Sequence, residues 1–243
     1  MKKSIPFNLD SSQKEFLLKN LFSQISHTYD FTNTILSCKS DISWRKHAVK
    51  ISGFKNNDKV LDLCAGTGEM SLIIMKHIGC NVTLTDFSPS MLYIAEKKIS
   101  NAGFSNLAQY VEANIKNLPF SDYMFDGAVL AFSLRNLPYL DETLNEIQRV
   151  LLPGGKLVLL ELTKPDNIVL RNIYYFYLNN ILPTIGGFIS KKIDAYKYLA
   201  QSIQQFYEPK EFIDFLSSLN FLNVKHYSLT LGIASIFSAT CPL

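Results

Sequence analysis

The 243-residue chain carries 24 Lys and Arg against 21 Asp and Glu, a formal net charge of only +3, with 47% hydrophobic and 19% charged residues. That composition fills a large packed core, and the length suits one α/β domain with an appendage or two small domains. No dense Lys/Arg run exists, Lys97-Lys98 and Lys191-Lys192 being isolated pairs, so electrostatics do not call for nucleic acid. Cys38, Cys64, Cys80 and Cys241 are scattered without CxxC spacing, so neither a metal site nor a disulfide framework is expected. "MKKSIPFNLDSSQKEFLLKN" has no apolar core of a signal peptide, and a reducing cytoplasm is the expected home.

Residues 1–50 read as helices broken by polar turns, with Phe16, Leu17, Leu21, Phe22 and Ile25 at helical spacing. From Lys59 strands and helices alternate. "KVLDLCA" predicts a buried strand and "GEMSLIIMKHI" a helix opening just after Gly68; "NVTLTD" is a second strand. "SPSMLYIAEKKISNAG" predicts a helix with Ser88 as N-cap, Pro89 at its first position and Gly103 as its stop. "AQYVEAN" and "FDGAVLAF" are the third and fourth strands. "LDETLNEIQRVLLPGG" is a helix ended by Pro153 and Gly154-Gly155, before the fifth strand "KLVLLEL". An aromatic insertion over about 165–207 interrupts the rhythm. "PKEFIDFLSSLNF" is then an amphipathic helix, and two strands flank Gly232. The alternation predicts a mostly parallel sheet with helices on both faces and an antiparallel strand near its C-terminal end. The expected division is an N-terminal helical lid region, 1–50, and a Rossmann-like domain, 51–243, that carries the insertion.

The turn after the first strand lies at the carboxyl edge of such a sheet, where ligands bind. Gly66 and Gly68 permit tight backbone and close approach of a ligand. A dinucleotide fingerprint needs a third glycine, and Ser71 stands there. Asp62, within the strand, adds negative charge that suits a cationic sulfonium better than a pyrophosphate. Asp86 ends the second strand 20 residues past Gly66, placed to accept bonds from both hydroxyls of an adenosine ribose. Asn114 ends the third strand, where an adenine edge would lie.

"VLDLCAGTGE" resembles motif I of class I S-adenosylmethionine-dependent methyltransferases, whose sheet is seven-stranded and Rossmann-like. "HTYDFTNTILS", "LPFSDYMFDGAVLAFSLRNL", "RVLLPGGKLVLLELTKP" and "DAYKYLAQSI" resemble the ubiquinone/menaquinone biosynthesis C-methyltransferase family over about residues 20–240. The resemblance implies S-adenosyl-L-methionine as cofactor, contacted by Thr67, Asp86, Asn114 and Ile115 beside Asp62, Gly66 and Gly68. Two departures stand out. A serine usual at the end of the fourth strand is Ala131, and where the family commonly shows Gly-x-His this chain has Lys39 and Asp41.

The implied reaction is methylation of a ring carbon of a polyprenylated quinol, which needs a base or a cation that stabilises a phenolate. Arg135 is too weak an acid to serve as a base, and is expected to hold the phenolate or orient a proton-accepting water. His27 is a candidate base and Tyr29 a lid residue closing over the cofactor. Asn136, Asp194, Tyr196 and Tyr198 are expected on the substrate side. The insertion is apolar but interrupted by Arg171, four asparagines, Pro183 and Gly186-Gly187, so it is not read as a membrane span. It is read as a cover for an isoprenoid tail, compatible with peripheral contact at the inner face of the membrane; a homodimer is equally compatible. The ring, naphthoquinol first and methoxy-benzoquinol second, stays open. So do a different lipid-like acceptor, a non-catalytic scaffold of a quinone-biosynthetic complex and, last, a dinucleotide oxidoreductase.

Overall fold

A computed structural model describes residue 37 and residues 39–190 and 193–242. The first described helix, α1 (Ser40–Ile51), leads into the alternation β1 (Lys59–Leu63), α2 (Glu69–His77), β2 (Asn81–Asp86), α3 (Pro89–Asn101), β3 (Ala108–Glu112), β4 (Phe125–Ala131), α4 (Leu140–Val150) and β5 (Leu151–Leu162). Three inserted helices follow, α5 (Ile168–Phe176), α6 (Leu182–Ser190) and α7 (Ile193–Gln205), then α8 (Pro209–Ser218), β6 (Leu222–Leu229) and β7 (Ala234–Thr240). The strands form one seven-stranded sheet in the order β3-β2-β1-β4-β5-β7-β6, parallel except where β7 runs against both its neighbours.

The apolar runs of the sequence become strands covered on both faces. Leu61 and Leu63 of β1 pack with Leu144 and Phe212 on one side, while Val60 packs with Met70 and Ile74 on the other. Burial on both faces is why such strands read as continuous rather than alternating. Between β1 and β4 the chain reverses its winding, so a cleft opens beyond their carboxyl ends.

Local details differ from expectation in three places. β5 begins at Leu151, before Pro153, because Leu151 pairs with Phe125 and the glycines bend the strand rather than start it. Their backbone is held by Cys241, whose N–H donates to Gly155 O at 2.8 Å. β3 stops at Glu112, and Asn114 sits two residues on, in a turn bridged to Asn117. Ser88 occupies the N-cap of α3, but its hydroxyl pairs with Ser90 at 2.9 Å instead of capping. Lys39, where a glycine is common in the resembled family, takes φ 65°, the left-handed backbone a glycine would adopt without a Cβ penalty.

In the insertion, Asn167 caps α5 by accepting from the Val169 and Leu170 amides at 2.9 and 3.2 Å. A π-helical turn over Tyr177–Ile181 precedes Pro183, which has no N–H to give the preceding turn. Gly186 and Gly187 let α6 and α7 touch: a Cβ at Gly186 would stand 2.6 Å from the Tyr196 ring. Among the described residues no helix is long and apolar enough to cross a membrane.

Candidate active site

The loop between β1 and α2 is built from two glycines with different duties. Gly66 has φ 55° and open space where a Cβ would stand, so a ligand can approach its backbone. Gly68 has φ 76°, and a Cβ there would lie 2.9 Å from Cβ of Ala95, so its role is to seat α2 against α3. Behind the loop the Ser71 hydroxyl donates to Asp62 Oδ2 at 2.5 Å, tying strand to helix where a third glycine would stand in a dinucleotide site.

Burial pushes the Asp62 carboxyl up to about 6, against the opposing pull of the Ser71 hydroxyl and the Arg45 charge. The folded value lies above the ordinary 3.8, so the stabilisation it represents is complete below about pH 4 and is lost as pH rises through 6. Above that, folding holds a buried carboxylate charged, at a cost of up to about 3 kcal/mol. Asp62→Asn keeps an acceptor for Ser71 without the charge. Its melting temperature is therefore expected to gain several degrees on the parent between pH 5 and pH 8. Parallel melting curves across that range would discard the burial account.

Asp86 stands at the floor of the cleft. Its Oδ2 accepts from the Gly66 amide and its Oδ1 from the Ser88 amide, both at 2.9 Å. Burial raises its carboxyl above the ordinary value while these backbone donors pull it down. A carboxylate has about four lone-pair sites, so both oxygens keep room for a ribose hydroxyl each. Phe87, Met91 and Ile115 give the cleft apolar walls, and Asn114 and Ser133 polar ones. Such a floor and walls fit an adenosine: a carboxylate for the diol, apolar walls for the faces of the ring and polar residues for its edge. Thr67 is buried in the loop rather than in the cleft wall.

A second cavity of about 420 Å³ lies beyond, under the insertion, within the range of small-molecule sites. Trp44, Phe132, Tyr174, Tyr196 and Tyr198 line it, and Asn136 lines both it and the cleft. Asn136 is fixed there by the Tyr198 hydroxyl, which donates to its Oδ1 at 3.0 Å. Burial raises the Tyr198 phenol to about 12, so it stays a donor. Asp194 is half-buried and is not among the lining residues. His27 and Tyr29 lie outside the described residues.

Arg135 is not a surface group. Its Nη1 pairs with Oε1 of Glu161, which is fully buried on β5, and also donates to Phe132 O at 2.9 Å. Nε donates to the Ser202 hydroxyl at 3.2 Å, and the Arg135 amide reaches Glu161 Oε2 at 3.2 Å. Among the described residues Nη2 makes no hydrogen bond, and the side chain lines the cavity. Sequence reasoning missed Glu161, although a lone acid inside "KLVLLEL" signals a buried partner. It also missed Ser133, which lines the cleft two residues after Ala131 and whose hydroxyl donates to Ala131 O at 3.5 Å.

The doubly wound sheet with its antiparallel β7, the glycine loop and the acid at the end of β2 make this a class I S-adenosylmethionine-dependent methyltransferase. A solved S-adenosylmethionine-dependent methyltransferase from Aquifex aeolicus shares the fold, with a TM-score of 0.59 and 17% identity over 81% of this chain and 89% of that one. The chain belongs to the ubiE/COQ5 methyltransferase family, which its residues 10–241 match. It is 35% identical over 229 residues, 93% of this chain and 97% of the relative, to the ubiquinone/menaquinone biosynthesis C-methyltransferase UbiE of Geotalea daltonii. It is 36% identical over 217 residues, 89% of this chain and 97% of the relative, to the demethylmenaquinone methyltransferase of Thermus thermophilus.

Proposed function

We propose that the protein methylates a ring carbon of a polyprenylated quinol in quinone biosynthesis, with demethylmenaquinol as the ring and a methoxy-benzoquinol as the second candidate. The observation that carries this is the aromatic cavity meeting the cofactor cleft at Asn136. A flat ring between Trp44, Tyr174 and Tyr196 would present its edge to the cleft, where S-adenosylmethionine supplies an electrophilic methyl group. Arg135 has Nη2 for a ring oxygen, and Asn136 and Tyr198 stand beside it. His27 and Tyr29 stay candidates for the base and the cover, with residues 1–50 as a lid region. On α5, Ile168, Val169, Ile173 and Phe176 are all more than 60% exposed, which supports contact of this side with the bilayer that holds the quinol.

The test is methyl transfer from labelled S-adenosylmethionine to short-chain demethylmenaquinol and to the corresponding benzoquinol, both kept reduced. Turnover is expected on both or on the naphthoquinol alone. Turnover on the benzoquinol alone would reverse the order, and none on either, with cofactor binding intact, would overturn the proposal. With the quinol carried in vesicles the protein is expected to sediment with them; protein left in the supernatant removes the membrane contact.

A further inference from the structure

We infer that Asp41, rather than His27, is the base of the methyl transfer, taking the proton of the ring hydroxyl beside the carbon that is methylated. The inference deepens the quinol reading and rests on it. Asp41 is the one carboxylate among the described residues that line the aromatic cavity. It is 8% exposed, in the first turn of α1. The Ser37 hydroxyl donates to its Oδ1 at 2.7 Å, and its Oδ2 has no partner among the described residues. One oxygen is thus held and the other is available to the cavity.

Glu161, the other acid nearby, is fully buried, is absent from the cavity wall and is spoken for. It accepts from the Arg135 amide, the Arg135 guanidinium and the Leu162 amide. The charged groups that share the cavity wall with Asp41 are Arg45, one turn further along α1, and Arg135. Nε of Arg45 is buried without a hydrogen-bond partner among the described residues, and its guanidinium lies 4.8 Å from the Phe132 ring centre. No direct Asp41–Arg45 ion pair neutralises the carboxylate among the described residues, so its charge faces the site.

A carboxylate suffices for this step. A quinol ring that takes up a methyl group becomes electron-poor, and its hydroxyl then gives up a proton far more readily than in the free quinol. The ring carbon forms its bond to the methyl as the carbon–sulfur bond breaks, and that electron pair remains on the now neutral sulfur. The hydroxyl proton passes to Asp41 Oδ2, and the O–H pair becomes the ring carbonyl. The methylated carbon then loses its hydrogen as a proton to water, and that C–H pair restores the aromatic ring. The ring oxygen takes its proton back from Asp41, so one proton is released per turnover.

Asp41→Asn keeps the shape and the Ser37 contact but cannot take a proton. It is expected to lower kcat by about 10²-fold or more, the scale of general-base catalysis, with KM for demethylmenaquinol within a few-fold of the parent. Calorimetric affinity for S-adenosylmethionine and the melting temperature should hold. Asp41→Glu should recover part of the rate, and added formate should raise turnover of Asp41→Ala. Parental kcat in Asp41→Asn, while the parent turns over the quinol, overturns the inference and leaves the quinol reading standing. A rate loss that tracks a lower melting temperature and ignores formate overturns it too, in favour of a helix-stabilising role. A parent that binds S-adenosylmethionine but turns over neither quinol overturns both.

Discussion

Arg135→Ala is expected to lower the melting temperature by roughly 10 °C, a larger effect than its place next to a loop suggests. Removing one partner of a buried ion pair costs about 3–5 kcal/mol, because the other charge stays buried without compensation. Here that charge is Glu161, fully buried on β5. In a domain of this size each kcal/mol moves the midpoint by about 2–4 °C. The double variant Arg135→Ala/Glu161→Gln removes the stranded charge but leaves a single oxygen, which can accept from the Arg135 amide or from the Leu162 amide and not from both, since these donate to different oxygens of Glu161. It should regain part of the lost stability. Turnover should not return with it and should stay about 10²-fold or more below the parent, the scale for losing one electrostatic donor at a reacting centre. The pairing of the two measurements matters: an inactive Arg135→Ala by itself reports only a weakened fold. A single variant that melts with the parent would refute the buried-pair account.

Asp86→Ala is expected to weaken S-adenosylmethionine binding by about 10²-fold or more. Hydrogen bonds to a charged group are worth roughly 1.5–3 kcal/mol each, and two ribose hydroxyls would bind this carboxylate. The same change removes the acceptors of the Gly66 and Ser88 amides, so the loop that shapes the cleft loosens as well. A fall of a few degrees in melting temperature should accompany the weaker binding. Asp86→Asn separates the two roles: its single side-chain oxygen can hold one of the amides but brings no charge to the ribose. Its stability should lie nearer the parent than its affinity does. Unchanged calorimetric affinity in a folded Asp86→Ala would take Asp86 out of the site.

The sequence by itself determined the doubly wound sheet, the antiparallel end and the cofactor loop. Those features are local: apolar runs of strand length, helices between them, Gly66 and Gly68 at a turn, and an acid 20 residues on at the next strand end. The resemblance named the family from the same stretches, and the match over residues 10–241 agrees with it. Only the tertiary structure decided which polar side chains meet. Arg135 and Glu161 are 26 residues apart in sequence, and their pairing depends on β4 and β5 lying side by side. Asn136 reaches the Tyr198 hydroxyl across 62 residues, through an insertion whose helices pack by their glycines. Asp41 and Lys39 stood out in the sequence as departures from a pattern. Whether Asp41 faced solvent or an aromatic cavity depended on how α1 lies against the Phe132 loop and Thr230, where the Trp44 indole donates at 2.8 Å. Periodicity tells a residue which face of its own element it occupies; what that face is pressed against is settled by elements far away in the chain.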